Sequence, residues 1–466
     1  MRVKDHAIQR LKSRARRNLE AEGEAVGNER FTTGNRALDS YGKVFFLLTR
    51  PLMGAPLVRM KELTSVAGIR CISSDRKMYQ PVGLLSEETC KAVRHFHNSM
   101  ADYAPTPLVS LENLAAELGV AKLFVKDESH RFGLKSFKAL GASYGMARLL
   151  ADNLGQEIDT VTDEYLTSHD VKEKINATVF VSATDGNHGR AVAWCATRLG
   201  CKSVIYLPKG AATFRVQAIQ NEGAEAHVTD LNYDDAVRLA TRKAGKNGWT
   251  LMQDTAMPGY VQIPAWIMQG YTTMVAEALE QIEQMDSPKP THVFLQAGVG
   301  SMSGAVLGFL VERFKGKHPI TVIIEPENAA CMYKSALVGD GQTHRVEGGL
   351  ETIMAGLACG EANPMGWEIL RDYADFFVSC PDSVTAEGMR RLANPIGADS
   401  KIVSGESGAV GAGLLDILMR KSTFIEYQEA VRLNKDSVVL AFSTEGDTDP
   451  DGYRKIVHHG KCPSPT

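Results

Sequence analysis

The sequence predicts an α/β protein built on parallel-rich, twisted sheets flanked by helices. From about residue 120 onward, short β-branched runs alternate with longer segments of helical period, the pattern of strands joined by crossover helices. The runs are also apolar almost throughout, as in strands covered on both faces.

Eight runs read as buried strands, each followed by turn residues and a helical stretch: Lys122–Lys126, Thr178–Ser182, Ser203–Leu207, Glu225–Thr229, His292–Gln296, Ile320–Ile324, Asp375–Ser379 and Ser437–Phe442. Right-handed crossovers then place helices on both faces of the sheet. Two regions break the rhythm. Residues 1–75 show no clear alternation and are read as an N-terminal extension. Residues 152–176 are acidic and polar, with Asp159, Asp163, Glu164 and Asp170, and read as a surface insertion. The basic start, Arg2 to Arg17, meets Glu20, Glu22 and Glu24 so soon that a solvated helix or tail fits it better than a transit peptide.

A chain of 466 residues has room for two or three domains, at roughly 150 residues each. Its 52 basic and 55 acidic side chains nearly cancel, so no global field draws it to nucleic acid or to an anionic membrane. No apolar run reaches the ~18 residues that span a bilayer, and the N-terminus lacks a signal-peptide core. The eight cysteines never form a C-x-x-C pair, the usage of a reduced, cytoplasmic protein. Cys331 and Cys359 share a loop-rich stretch, so a bridge between them is conceivable, but free thiols fit better.

Four strand-to-helix turns carry the chemistry. In 127-DESHRFGLKSFKALG-141, Lys138 sits at a helix start behind Ser136, Phe137 and Lys135. A helix N-terminus and a neighbouring cation both lower an amine pKa at a desolvated site, and a neutral amine is what Schiff-base chemistry needs. Alone, two solvated surface lysines explain the motif as well. In 181-VSATDGNHGRAVAWCATRLG-200, the Thr184–Gly189 turn offers main-chain N–H groups at a helix start, where an anion can bind. An N-cap at Thr184 or Asp185 explains one residue of that string. His188 is read as shaping the turn, while His95 and His97 default to surface or packing roles.

The third turn, 295-LQAGVGSMSGAVLGFL-310, runs a strand into Gly298, Val299, Gly300, Ser301 and Met302. It lacks the Walker lysine and the third glycine of the dinucleotide fingerprint, and it comes late in the chain. A nicotinamide oxidoreductase is therefore disfavoured. The fourth, 440-LAFSTEGDTDPDGY-453, opens Ser443 and Thr444 at the carboxyl end of the last strand, where open α/β sheets hold ligands. Its acids do not follow the calcium-loop order, so no metal is expected.

Taken together, these motifs resemble the tryptophan-synthase-β-like, fold type II family of pyridoxal-phosphate enzymes, and within it the diaminopropionate ammonia-lyases. The segments 252-MQDTAMPGY-260, 263-IPAWIMQGY-271, 353-IMAGLACGE-361, 404-SGESGAVG-411 and 443-STEGDTD-449 add to the likeness, which runs from about residue 80 to 460. Lys135 is a departure, since relatives often carry a neutral residue there.

The resemblance implies a two-domain enzyme with pyridoxal 5'-phosphate as cofactor. Residues 76–141 and 261–466 would form the large domain and 142–260 the small one. Lys138 would form the internal aldimine with Phe137 beside it, Asn187 would meet the phenolic oxygen, and Gly298 to Met302 would hold the phosphate. Ser443 or Thr444 would face the pyridine nitrogen, and Asp185 and Asp254 match the family's active-site carboxylates. Ser136, Thr184, Asp185 and His188 would contact substrate. The implied reaction is α,β-elimination of 2,3-diaminopropionate, D and L, to pyruvate and ammonia, by a homodimer. A threonine or serine dehydratase, or an amino-acid racemase, is the nearest alternative.

Overall fold

The computed structural model describes residues 60–464. The described strands form two sheets. The larger has eight strands in the order β1-β2-β11-β10-β9-β12-β4-β3: β1 (Met60–Glu62), β2 (Arg70–Ser74), β3 (Leu108–Ser110), β4 (Lys122–Asp127), β9 (His292–Gln296), β10 (Ile320–Pro326), β11 (Phe376–Cys380) and β12 (Val438–Ser443). The smaller has the order β7-β6-β5-β8, from β5 (Val179–Ala183), β6 (Lys202–Leu207), β7 (Glu225–Val228) and β8 (Thr250–Leu251).

All eight predicted strands are present and pair in parallel. His292–Gln296 lies opposite Ile320–Ile324, and Val438–Ser443 lies opposite Lys122–Asp127. Most of their side chains are buried on both faces because helices cover both sides; the exception is Glu225–Val228, expected to be buried, which is the edge strand of the small sheet and exposes Glu225, His227 and Val228. One such helix, Gln262–Gln284, packs along Lys138–Leu154 and buries Ile267, Tyr271 and Met274.

Three expectations need correction. Residues 60–74, read as extension, hold β1 and β2, and β2 pairs antiparallel with β11. The large sheet therefore starts before residue 76. Residues 1–59 of that extension, with the basic run, lie outside the described residues. The expected domain boundary after residue 141 falls within the helix Lys138–Leu154. Residues 152–176, read as a surface insertion, form short helices that bury Leu166, Val171 and Ile175. Asp163, one of their acids, is buried and paired with Arg198 at 2.6 Å.

The chain order reverses around β9, whose neighbours are β10 and β12. The carboxyl ends of β4, β9 and β12 open towards the turns after β5 and β8, and a crevice at such a switch point is where open sheets bind ligands. Among the described residues, no helix is long and apolar enough to cross a membrane, and no group of His, Cys, Asp and Glu is arranged to hold a metal ion.

Candidate active site

Lys138 is delivered by a turn fastened at both ends. Behind it, a buried ion cluster holds the turn to the helix Gln262–Gln284: Arg131 binds Glu128 and Glu277 at 2.9 and 2.8 Å, and Lys126 binds Glu277 at 2.6 Å. Burial raises the Glu277 carboxyl, but Arg131 and Lys126 outweigh that and hold it at about 2. Ahead of it, Lys135–Phe137 lies along Thr444–Gly446, with Gly446 N–H on Lys135 O at 2.9 Å and Phe137 N–H on Thr444 O at 3.2 Å. Lys135 takes a left-handed backbone, φ 56°, and points its ammonium at Asp447, 2.6 Å away.

Lys138 Nζ meets Asp254 Oδ2 at 2.5 Å. This overturns the expectation of a lowered amine pKa. Burial does pull the lysine down, but Asp254, with Tyr271 and Asp185, outweighs it and raises the value above the ordinary one. Asp254 responds in the opposite sense: burial pushes it up, and Lys138 and then His188 bring it to about 2. Both partners favour the ion pair.

Asp254 follows β8, and its position is fixed through its main chain. Ser301 Oγ donates to Asp254 O at 2.5 Å, and Asn363 Nδ2 donates to Ser301 Oγ at 2.7 Å. His188 Nε2 lies 2.8 Å from Met252 O, an acceptor only, so Nε2 carries the proton. Nδ1 then faces Asp254 at 4.0 Å. Burial pushes the His188 pKa down, and its hydrogen bond to Met252 O ties the start of the helix Asn187–Arg198 to the segment after β8.

The turn after β5 is built by Thr184, whose hydroxyl accepts the N–H groups of Gly186 and Gly189 at 2.9 and 3.0 Å. Asp185 then projects into the cavity. Burial raises its pKa, against Arg215 and Lys138, and Glu445 adds to the rise. Asn187 opens the next helix and donates its Nδ2 to Glu445 Oε2.

The cavity joins these groups to the turn after β9. Its walls are Phe137, Lys138, Asp185, Asn187, His188, Asp254, Gly298 to Met302 and Thr444, with a free volume of about 640 Å³ including its mouth. Three expected site residues stand behind the walls. Ser136 pairs its backbone with Glu445, Thr184 caps its turn, and Ser443 gives its hydroxyl to Ser404 Oγ at 2.9 Å. Adjacent residues of a strand face opposite ways, so Thr444 turns to the cavity when Ser443 turns from it. Thr444 Oγ1 is held by Gln296 Nε2 at 2.9 Å.

The walls also include Gln296, Tyr233, Ser407 and Glu445, which were not singled out from sequence. Gln296, Ser407 and Glu445 lie inside quoted motifs, so the signal was present but unresolved to the residue. Tyr233 gave none. His97 is buried between Thr273 and the Leu140 carbonyl, at 2.8 and 3.1 Å, a packing role. All eight cysteines are free.

These residues fit pyridoxal phosphate. The helix Ser301–Arg313 begins at the cavity wall with no side-chain cap, which leaves its first N–H donors for an anion. Gly300 takes φ 85°, a left-handed conformation that favours glycine, and a Cβ there would press on the Met332 side chain. A lysine amine, an amide donor and a hydroxyl complete the set around one cavity.

A family model described as "Pyridoxal-phosphate dependent enzyme" matches residues 100–442. The chain is 50% identical over 399 residues to the diaminopropionate ammonia-lyase of Escherichia coli strain K12, covering 85% of this chain and 98% of that one. Two solved structures of the Escherichia coli diaminopropionate ammonia lyase are similar. One, in complex with D-serine, has a TM-score of 0.79 and 47% identity and covers 88% of this chain and 100% of its own. The other, in complex with an aminoacrylate-PLP azomethine reaction intermediate, has a TM-score of 0.78 and 47% identity over 87% of this chain and 99% of its own. With the fold, the cavity and these likenesses in agreement, the chain belongs to the fold type II pyridoxal-phosphate dependent enzymes and, within them, to the diaminopropionate ammonia-lyase family.

Proposed function

We propose that this site eliminates ammonia from 2,3-diaminopropionate, in both D and L forms, and yields pyruvate and a second ammonia. The observation that carries the reading is that Asp185 and Asp254 share one cavity with Lys138. A monoamino acid leaves one of those carboxylates without a cation in a desolvated place, which is costly. A diamino acid supplies the second ammonium. The solved relative holding an aminoacrylate-PLP intermediate supports the same chemistry.

Pyridoxal phosphate, when bound, supplies an electron sink for the charge left at the substrate's Cα. Lys138 Nζ would be its covalent partner with Phe137 beside it. Asn187 would donate to its phenolic oxygen, Gly298 to Met302 would offer main-chain N–H groups to its phosphate, and Thr444, which lines the cavity where Ser443 does not, would face its ring nitrogen. A neutral hydroxyl there would leave that nitrogen unprotonated. Asp185, its pKa raised by burial, takes the Cα proton of one enantiomer and Lys138 that of the other. Lys138 does so as the neutral amine, and Asp254 holds the ammonium that results. The β-ammonium departs as neutral ammonia, taking the C–N bonding pair and keeping its three protons. The released aminoacrylate adds water and loses its own nitrogen as the second ammonia.

Main-chain donors of the Asn187–His188 turn, set by Thr184, receive the substrate carboxylate, and Ser136 supports that wall from behind. The two sheets correspond to the large and small domains. A homodimer in the cytoplasm is the assembly we infer, and eight unpaired cysteines suit that compartment. The test is to supply the holoenzyme with D- and L-2,3-diaminopropionate and assay pyruvate and ammonia together. Two ammonia per pyruvate from either isomer supports the reading. Deamination of serine or threonine with none of diaminopropionate overturns it in favour of a dehydratase.

A further inference from the structure

The segment after β12 brings an additional carboxylate to the cavity. Glu445 is buried, at 3% exposure, and Gly405 lies close against it: a Cβ there would strike the Gly446 carbonyl oxygen first and would lie 2.9 Å from Glu445 Cγ. Three donors converge on its oxygens. Ser407 N–H reaches Oε1 at 2.8 Å, while Asn187 Nδ2 and Thr448 Oγ1 share Oε2, the latter at 3.3 Å. Its main chain pairs with Ser136, two residues before Lys138. Asn187 follows β5 of the small sheet and Glu445 follows β12 of the large one, so this hydrogen bond joins the two halves of the site.

We propose that Glu445 is a positioning residue that sets which end of the Asn187 amide faces the cofactor, and so controls the protonation of the cofactor's phenolic oxygen. A side-chain amide has one nitrogen with two N–H groups and one oxygen that only accepts. A carboxylate receiving donors tolerates the nitrogen beside it and repels the oxygen. With one N–H engaged by Glu445, the other remains for the phenolic oxygen, which it holds in the deprotonated form. A flipped amide would present its carbonyl oxygen to both. This inference rests on the reading of Asn187 as the phenolic-oxygen partner, and the test separates the two.

The test compares resting holoenzymes, without substrate, by absorption against pH. The wild-type lysine-bound cofactor with a deprotonated phenolic oxygen absorbs at about 410–420 nm. In E445Q, the Gln oxygen serves Ser407 N–H and its NH₂ group faces Asn187, which draws the amide round. The band then gives way to a shorter-wavelength form, and its pH midpoint rises by about one unit, the effect of losing one hydrogen bond to a charged group. N187A shows the same change, and the double variant adds nothing to it. A wild-type spectrum and midpoint in E445Q beside an altered N187A overturn the inference alone. An unaltered N187A overturns the reading of Asn187 and the inference with it. Should E445Q fail to load cofactor, E445D decides, because it keeps an acceptor-only group: a wild-type midpoint supports the proposal and an N187A-like one overturns it.

Discussion

Asp254 Oδ2 lies 2.5 Å from Lys138 Nζ, and the pair reverses the shift that the lysine's neighbours in sequence imply. Lys135, the local source of repulsion, is turned away to Asp447. The helix N-terminus and burial still disfavour the ammonium, but a carboxylate in direct contact outweighs both. The Asp254→Asn variant therefore leaves Lys138 without its counter-ion. Its turnover is expected to fall by about 10²-fold or more, the scale of a lost acid–base group. The cofactor band should persist. Steady-state kinetics beside an absorption spectrum check this, and wild-type turnover would contradict it.

Asp185 distinguishes the diamino substrate from a hydroxy amino acid. Replacing it with alanine removes one of the two carboxylates facing the cavity and leaves the cap at Thr184 intact. Diaminopropionate turnover is expected to drop by about 10²-fold or more, while any deamination of the serine enantiomer whose Cα proton Lys138 takes is spared. Equal losses on both substrates would show that Asp185 does not read the second ammonium.

Asn363 carries no charge, yet it holds Ser301 at 2.7 Å, which in turn holds the Asp254 main chain. Both are buried. Asn363→Ala leaves the Ser301 hydroxyl short of a donor and should cost about 1–3 kcal/mol. Urea denaturation of wild type and variant measures it.

Glu406 gives the pH dependence a definite sign. Burial, with Glu445 adding repulsion, raises its pKa from 4.5 to about 7, and Oε2 has no hydrogen-bond partner among the described residues. A carboxyl raised in the folded state favours folding fully below its unfolded value and loses that contribution as pH rises through the folded value. Stability should therefore fall between about pH 4.5 and 7. Glu406→Gln should flatten that slope, by at most about 3 kcal/mol. Melting temperatures of both proteins across this range check it.

The parallel core was legible because its strands, apart from the exposed edge strand Glu225–Val228, are apolar runs between turns. β1, β2 and β3 were not, since they are three to five residues long and join by antiparallel pairing at the margins of the sheet. β8 has two residues, too few for any period. In the site, motif spacing brought Lys138, Asp185, Asn187 and the glycine turn into view. What it did not resolve were pairings across the fold: Lys135 with Asp447, Asn187 with Glu445, and Arg131 with Glu277. Nor could it decide between Ser443 and Thr444, because one step along a strand reverses the face.

Lys138 is the residue we propose to carry the cofactor in this cavity. Reducing the holoenzyme with borohydride and mapping its peptides by mass spectrometry tests that directly. A pyridoxyl adduct is expected on Lys138 in the peptide that follows Lys135, and none in Lys138→Ala. An adduct on Lys135 or on any other lysine, with Lys138 unmodified, would contradict it.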